Sequence, residues 1–115
     1  MSRKMGHIER VIDKKIYNTE TSNELFYVSN KEKEKYRTNQ FEEALYKTDK
    51  GNYFMAGRGG PCTRWRQIDE RIDRIDFIEG EGIIPISEYL AIAWLTKHNA
   101  PVRIFNMIID DLTHA

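Results

Sequence analysis

The apolar positions of this chain change their period from one segment to the next. His7, Ile8, Val11 and Ile12 fall at roughly helical spacing, which fits a short helix or a basic leader. From Lys14 the texture turns to β-branched and aromatic residues, and Lys14–Thr19 and Glu24–Ser29 are predicted as strands. The polar stretch 20–23 between them satisfies backbone groups locally, so the two strands are expected to pair as a hairpin. Lys31–Lys35 alternates in charge without an apolar partner face and predicts a solvated loop. A second hairpin follows, with strands at Phe41–Lys47 and Asn52–Ala56 and a tight turn in which Gly51 takes a positive φ. Three glycines and a proline at Gly57–Pro61 then break regularity and let the backbone approach another surface closely.

Beyond the glycines the period becomes helical. Trp65, Ile68, Ile72 and Ile75 share one helical face, predicting a short helix over 63–73 and extended chain after it. Pro85 keeps Ile83–Ile86 extended. Ser87 reads as an N-cap with Glu88 in the first turn, opening a helix whose segment Tyr89–Leu95 is apolar all round and therefore expected to be largely buried. Pro101 suits the start of a second helix carrying Val102, Phe105, Ile108, Ile109 and Leu112 as a stripe. The predicted architecture is one α+β domain over 1–115, β-rich over 14–60, a charged helix or loop over 63–80, and helical over 87–113. In it a small antiparallel sheet of about four strands packs against C-terminal helices.

Composition narrows the class of protein. At 115 residues and 13.6 kDa, with 40% hydrophobic residues, the chain has room for one core. No apolar run approaches the ~20 residues that span a bilayer, and Met1–Lys4 is not followed by an apolar leader. A single cysteine excludes an internal disulfide framework and points to a reducing cytoplasm. Eighteen Lys and Arg balance eighteen Asp and Glu, but unevenly: residues 1–60 hold twelve against nine, and residues 61–115 hold six against nine. Neither half has the excess of a protein that coats nucleic acid.

Few residues invite chemistry. His7, His98 and His114 are scattered and Cys62 has no second cysteine, so no metal site is expected. No Lys-Ser/Thr follows the glycines, so no nucleotide cofactor is expected either. Arg58 and Arg64 flank Cys62 in sequence, yet no general base stands beside it, and a half-buried cysteine at a loop-to-helix junction is the favoured reading. Glu42 and Glu43 are neighbours on a strand and point to opposite faces, so they do not share a substrate. Asp73 and Asp76 fit either a divalent ion on one helical face or ion pairs with Arg71 and Arg74. No catalytic set emerges. The strongest constellation is Arg58 with Arg64, Trp65 and Arg66, whose guanidinium forks and indole suit a protein or phosphate partner. Against it stands a core Trp65 with its arginines paired to the acids at 69–76. An opposite surface is offered by Asp69, Asp73, Asp76 and Glu79, spaced to imitate a row of phosphates.

Three motifs in order carry a resemblance: Lys15–Thr21, Ala44–Phe54 and Gly57–Pro61, followed by Ile84–Glu88. Over roughly residues 14–95 the chain resembles small proteins of phages and conjugative elements that share a "YnTeT" strand, an "LYkTkkGnyF" hairpin, a "GxGG" loop and an "IxPlS" strand. The stretch 63–80 is longer and more charged than that pattern, and the segment from 102 departs from it. Mobile-element proteins of this size include anti-CRISPR proteins. The resemblance therefore implies a non-enzymatic inhibitor in the bacterial host cytoplasm that binds and blocks a CRISPR effector complex, through the Arg/Trp set or the acidic row. A nucleic-acid-binding accessory protein and a metal-dependent nuclease are the alternatives, and a homodimer stays open.

Overall fold

The computed structural model describes residues 5–110, 112 and 114. The basic residues at 3 and 4, and positions 111 and 113 of the predicted last helix, lie outside that set. Among the described residues the architecture is a mixed, antiparallel one with eight strands in three sheets and little helix. At its centre β3 (Asn23–Ser29), β4 (Phe41–Lys47), β5 (Tyr53–Gly59) and β8 (Gly80–Ile86) form a four-stranded sheet in that order. The predicted β4–β5 hairpin is present, with Tyr46 opposite Phe54 and Gly51 at a φ of 87° in the turn. Regularity continues through the glycines to Gly59, because antiparallel partners on both sides of β5 hold the backbone extended.

Elsewhere the chain departs from its sequence texture. Residues 9–12 form β1 (Glu9–Ile12), not a helix, and pair with β2 (Lys15–Asn18) through a two-residue connection. Asp13 and Lys14 both hold the positive φ values, 52° and 65°, that suit such a tight hairpin. The predicted pairing of β2 with β3 is therefore replaced by β2 with β1 and β3 with β4. Thr19 fixes this route: its backbone N–H donates to the Ile8 carbonyl, its hydroxyl donates to the Gly6 carbonyl, and that same oxygen accepts from the Ile8 N–H.

Both faces of the central sheet are covered, which is why β4 is buried at alternate and intervening positions alike. On one face Met5, Ile8 and Tyr17 cover Ala44, Tyr46, Phe54, Ala56 and Ile83. The Tyr46 and Phe54 rings stack at 5.0 Å, and Tyr17 meets Phe54 edge-on at 5.5 Å. On the other face Leu45, Tyr53 and Met55 share a cluster with Trp65, Ala91, Leu95, Ile104 and Ile108. The helices are slighter than predicted. Helix α1 (Glu88–Lys97) starts at Ser87, whose hydroxyl accepts from the Leu90 N–H, but it buries only Ala91 and Leu95 and leaves Tyr89 and Leu90 in solvent. Helix α2 (Val102–Phe105) is a single turn that buries Ile104, while Val102 of the predicted stripe is exposed.

The predicted helix over 63–73 is absent. After a turn at 61–65 the chain forms β6 (Gln67–Arg71) and β7 (Arg74–Ile78), a hairpin turned by Ile72 and Asp73. Among the described residues, its strands pair only with each other. The radius of gyration, 15.7 Å, exceeds the roughly 13 Å of a compact chain of this size, as an extended arm requires.

Candidate functional site

Strand β4 places Glu42 and Glu43 side by side in sequence and on opposite faces of the sheet, as the strand period demands. Both carboxylates are buried, and each has its own set of donors. The Glu43 side chain is 7% exposed. Its Oε1 accepts from the Trp65 indole at 2.9 Å, and its Oε2 accepts from the Trp94 indole at 2.6 Å and from Arg64 at 3.2 Å. The Arg64 guanidinium also lies over the Trp65 ring, 5.0 Å from its centre. One carboxylate thus ties β4 to the loop after β5 and to α1. A buried carboxylate held this way is stable because its lone pairs are taken by oriented donors.

The close approach of Trp65 depends on Gly57, which lies opposite Glu43 in the sheet. A Cβ at Gly57 would sit 2.1 Å from the indole ring. At Gly60 a Cβ would sit 2.5 Å from the Thr38 carbonyl oxygen. The surfaces that these glycines admit are therefore parts of the same chain.

Glu42, on the other face, accepts from the Tyr27 hydroxyl at 3.1 Å, forms an ion pair with Lys31, and lies 4.0 Å from Arg58. Burial and then the charge of Glu42 push the Tyr27 hydroxyl pKa above its ordinary value. Arg58 in turn donates to the Met5 carbonyl at 2.6 Å and to Glu81 at 3.3 Å.

The predicted quartet is accordingly divided. Arg58 serves the β1–β2 side of the sheet, and Arg64 and Trp65 serve the helix side. Arg66 stands at the root of the β6–β7 hairpin with its guanidinium 4.2 Å from the centre of the Phe77 ring. Trp65, only 5% exposed, is core and offers no stacking plane to a ligand. Arg58 pairs with Glu42 and Glu81, and Arg64 with Glu43, not with the acids at 69–76.

The acidic row is divided as well. Asp69 is bonded to Arg71 at 3.2 Å, Asp76 to Arg74 at 3.0 Å, and Asp73 sits in the turn. Glu79 lines a groove of about 680 Å³ with Glu81, Lys31, Arg37, Arg58 and Gln67. Asp73 and Asp76 do not share a helical face, and among the described residues no three His, Cys, Asp or Glu side chains are grouped to hold a metal ion.

A second cavity, about 310 Å³, opens beside Glu43 and is lined by Phe41, Cys62, Arg64, Trp94 and His98. Cys62 is exposed here, not half-buried as the sequence suggests. His98 packs its ring 4.8 Å from that of Trp94. Burial lowers its pKa, opposed by the nearby Glu43 charge and aided by Lys97 and Arg64.

The feature that sequence reasoning misses is the surface of the β6–β7 hairpin. Its register sets Ile68 opposite Phe77 and Glu70 opposite Ile75, so these four share one face. Ile75 is 63% exposed and Phe77 49%, Ile68 is similarly open, and Ile72 at the tip is wholly in solvent. Large apolar side chains are thus gathered, uncovered, on one face of a protruding element. The available signal is the placing of Ile68 and Phe77 symmetrically about the Ile72–Asp73 turn. No family model, curated protein or solved structure matches this chain.

Proposed function

We propose that this chain is a non-enzymatic binding protein that blocks a protein partner stoichiometrically, with the apolar face of the β6–β7 hairpin as its contact surface. The single observation that supports this reading is the exposure of Ile68, Ile75 and Phe77 on one face of an arm that pairs with nothing else. Arg66, stacked on Phe77, adds the arginine-and-aromatic pairing typical of residues that dominate protein interfaces. The partner class follows from the motif resemblance: a CRISPR effector complex in the cytoplasm of a bacterial host. No helix of the described residues is long and apolar enough to cross a membrane.

The test is binding of the purified chain to a panel of effector complexes, with and without nuclease, alongside target-DNA cleavage. Nuclease-resistant capture with loss of cleavage, reduced at least tenfold by Phe77→Ser with Ile75→Ser, is the expected result. Failure of every effector to bind removes the CRISPR assignment. Binding unchanged by the paired substitution removes the hairpin as the contact surface. A nucleic-acid reading draws on the groove where Lys31, Arg37 and Arg58 converge, though Glu79 and Glu81 share it. It requires a mobility shift whose affinity falls steeply with salt.

A further inference from the structure

The hairpin that presents the apolar face also carries an unmet charge pattern. Residues 71–76 read Arg-Ile-Asp-Arg-Ile-Asp. The register of β6 with β7 sets Arg71 opposite Arg74 and Asp69 opposite Asp76, so like charges face each other directly across the strands. Such pairs are destabilising. Ion pairs along each strand, Asp69 with Arg71 and Arg74 with Asp76, offset them in part.

Among the described residues, no strand pairs with the outer edge of β7. With two turn residues, Arg71 and Arg74 are the hydrogen-bonded pair next to the turn and Glu70 and Ile75 are the following non-hydrogen-bonded pair. The Ile75 N–H and carbonyl therefore point outward from the hairpin. We infer that β7 pairs antiparallel with β7 of a second copy of this chain, about a twofold axis through Ile75. In that register Ile75 exchanges both backbone hydrogen bonds with its counterpart, and Arg74 of each copy stands opposite Asp76 of the other. Both ends of the contact gain the opposite charge that the hairpin's own register denies them. The equivalent pairing of β6 about Glu70 sets two glutamates face to face, so β7 is the edge selected. The resulting four-stranded ribbon joins the two apolar faces into one, with Ile68, Ile75 and Phe77 contributed twice. The inference stands independently of the proposed partner, because it concerns the chain alone.

Five residues of edge make a small interface, so the dimer is expected to form in the range of about 100 μM rather than at nanomolar concentration. Sedimentation velocity of the full chain from about 5 to 500 μM tests this. The wild type is expected to shift from monomer to dimer across that range. Arg74→Asp and Asp76→Arg each make the contact like-charged; inside the hairpin each gives up the Arg74–Asp76 pair but gains an opposite charge directly across the strands, so each is expected to fold, checked by circular dichroism, and to stay monomeric. Mixed in equal amounts, the two variants are again complementary and are expected to recover the dimer. A wild type that stays monomeric, variants that self-associate as the wild type does, or a mixture that stays monomeric each overturns the inference. None of these outcomes bears on capture of an effector.

Discussion

The central sheet and the β6–β7 hairpin handle charge and apolar surface in opposite ways. In the sheet, Glu42 and Glu43 are buried and surrounded by donors, and the apolar residues of β4 and β5 are covered on both faces. In the hairpin, like charges oppose each other and Ile68, Ile75 and Phe77 lie in solvent. One region spends its sequence on internal satisfaction, while the other leaves its requirements to be met from outside. On the proposed reading, that division separates residues whose loss unfolds the chain from residues whose loss weakens partner binding.

Mutations sharpen the contrast, beginning with the largest effect. Glu43→Ala strands the buried Trp65 indole N–H, the half-buried Trp94 indole N–H and Arg64, and is expected to cost about 3–5 kcal/mol in urea unfolding. A loss under about 1 kcal/mol would show that water replaces the carboxylate freely. Gly57→Ala forces the Trp65 ring off the sheet and is expected to cost about 1–3 kcal/mol, with a red shift of tryptophan emission. Unchanged emission would mean that the sheet moves instead of the ring. Lys31→Met, which removes a half-exposed partner of Glu42, is expected to cost less than about 1 kcal/mol. A cost equal to that of Glu43→Ala would erase the distinction between the two glutamate sites.

Acid gives a smaller effect on the same face. The His98 pKa is lowered in the fold, so the unfolded chain takes up the proton more readily. Stability therefore falls as pH drops from about 6.5 into the folded His98 range, and His98→Gln is expected to flatten that part of the pH profile. An identical profile in the variant would assign the acid sensitivity to other groups. Smallest of all, Phe77→Ser is expected to change stability by less than about 0.5 kcal/mol while weakening partner capture. Substantial unfolding would make the hairpin face part of the core.

The sequence pattern reveals the sheet better than the arm for a physical reason. In β4 and β5 the strand residues and the Gly51 turn are local signals, and so is the Ser87 cap of α1. The β6–β7 segment misleads because Trp65, Ile68, Ile72 and Ile75 are three and four apart, which imitates a helix. In space Ile68 and Ile75 instead share one face of a hairpin, Ile72 sits at its tip, and Trp65 leaves it for the core. The exchange of partners by β2 is equally hidden, since the bonds of Thr19 to Gly6 and Ile8 join residues more than ten positions apart. The opposed orientation of Glu42 and Glu43 is legible from strand period, but the identity of their donors is not. Trp94 and Arg64 reach Glu43 only through tertiary folding.

The adjacent glutamates also bear on how β4 finds its place. Ala44, Leu45 and Tyr46 are apolar whichever way they face, and so are Phe54, Met55 and Ala56 across from them. A slip of one residue would therefore leave grease against grease, and hydrophobic contrast discriminates poorly between the two alignments. The same slip would turn Glu43 away from both indoles and Glu42 away from Tyr27 and Lys31, leaving two charges in the interior with the wrong neighbours. The pair acts as a key cut on both sides, admitting one alignment of the strand during assembly and rejecting its nearest counterfeit.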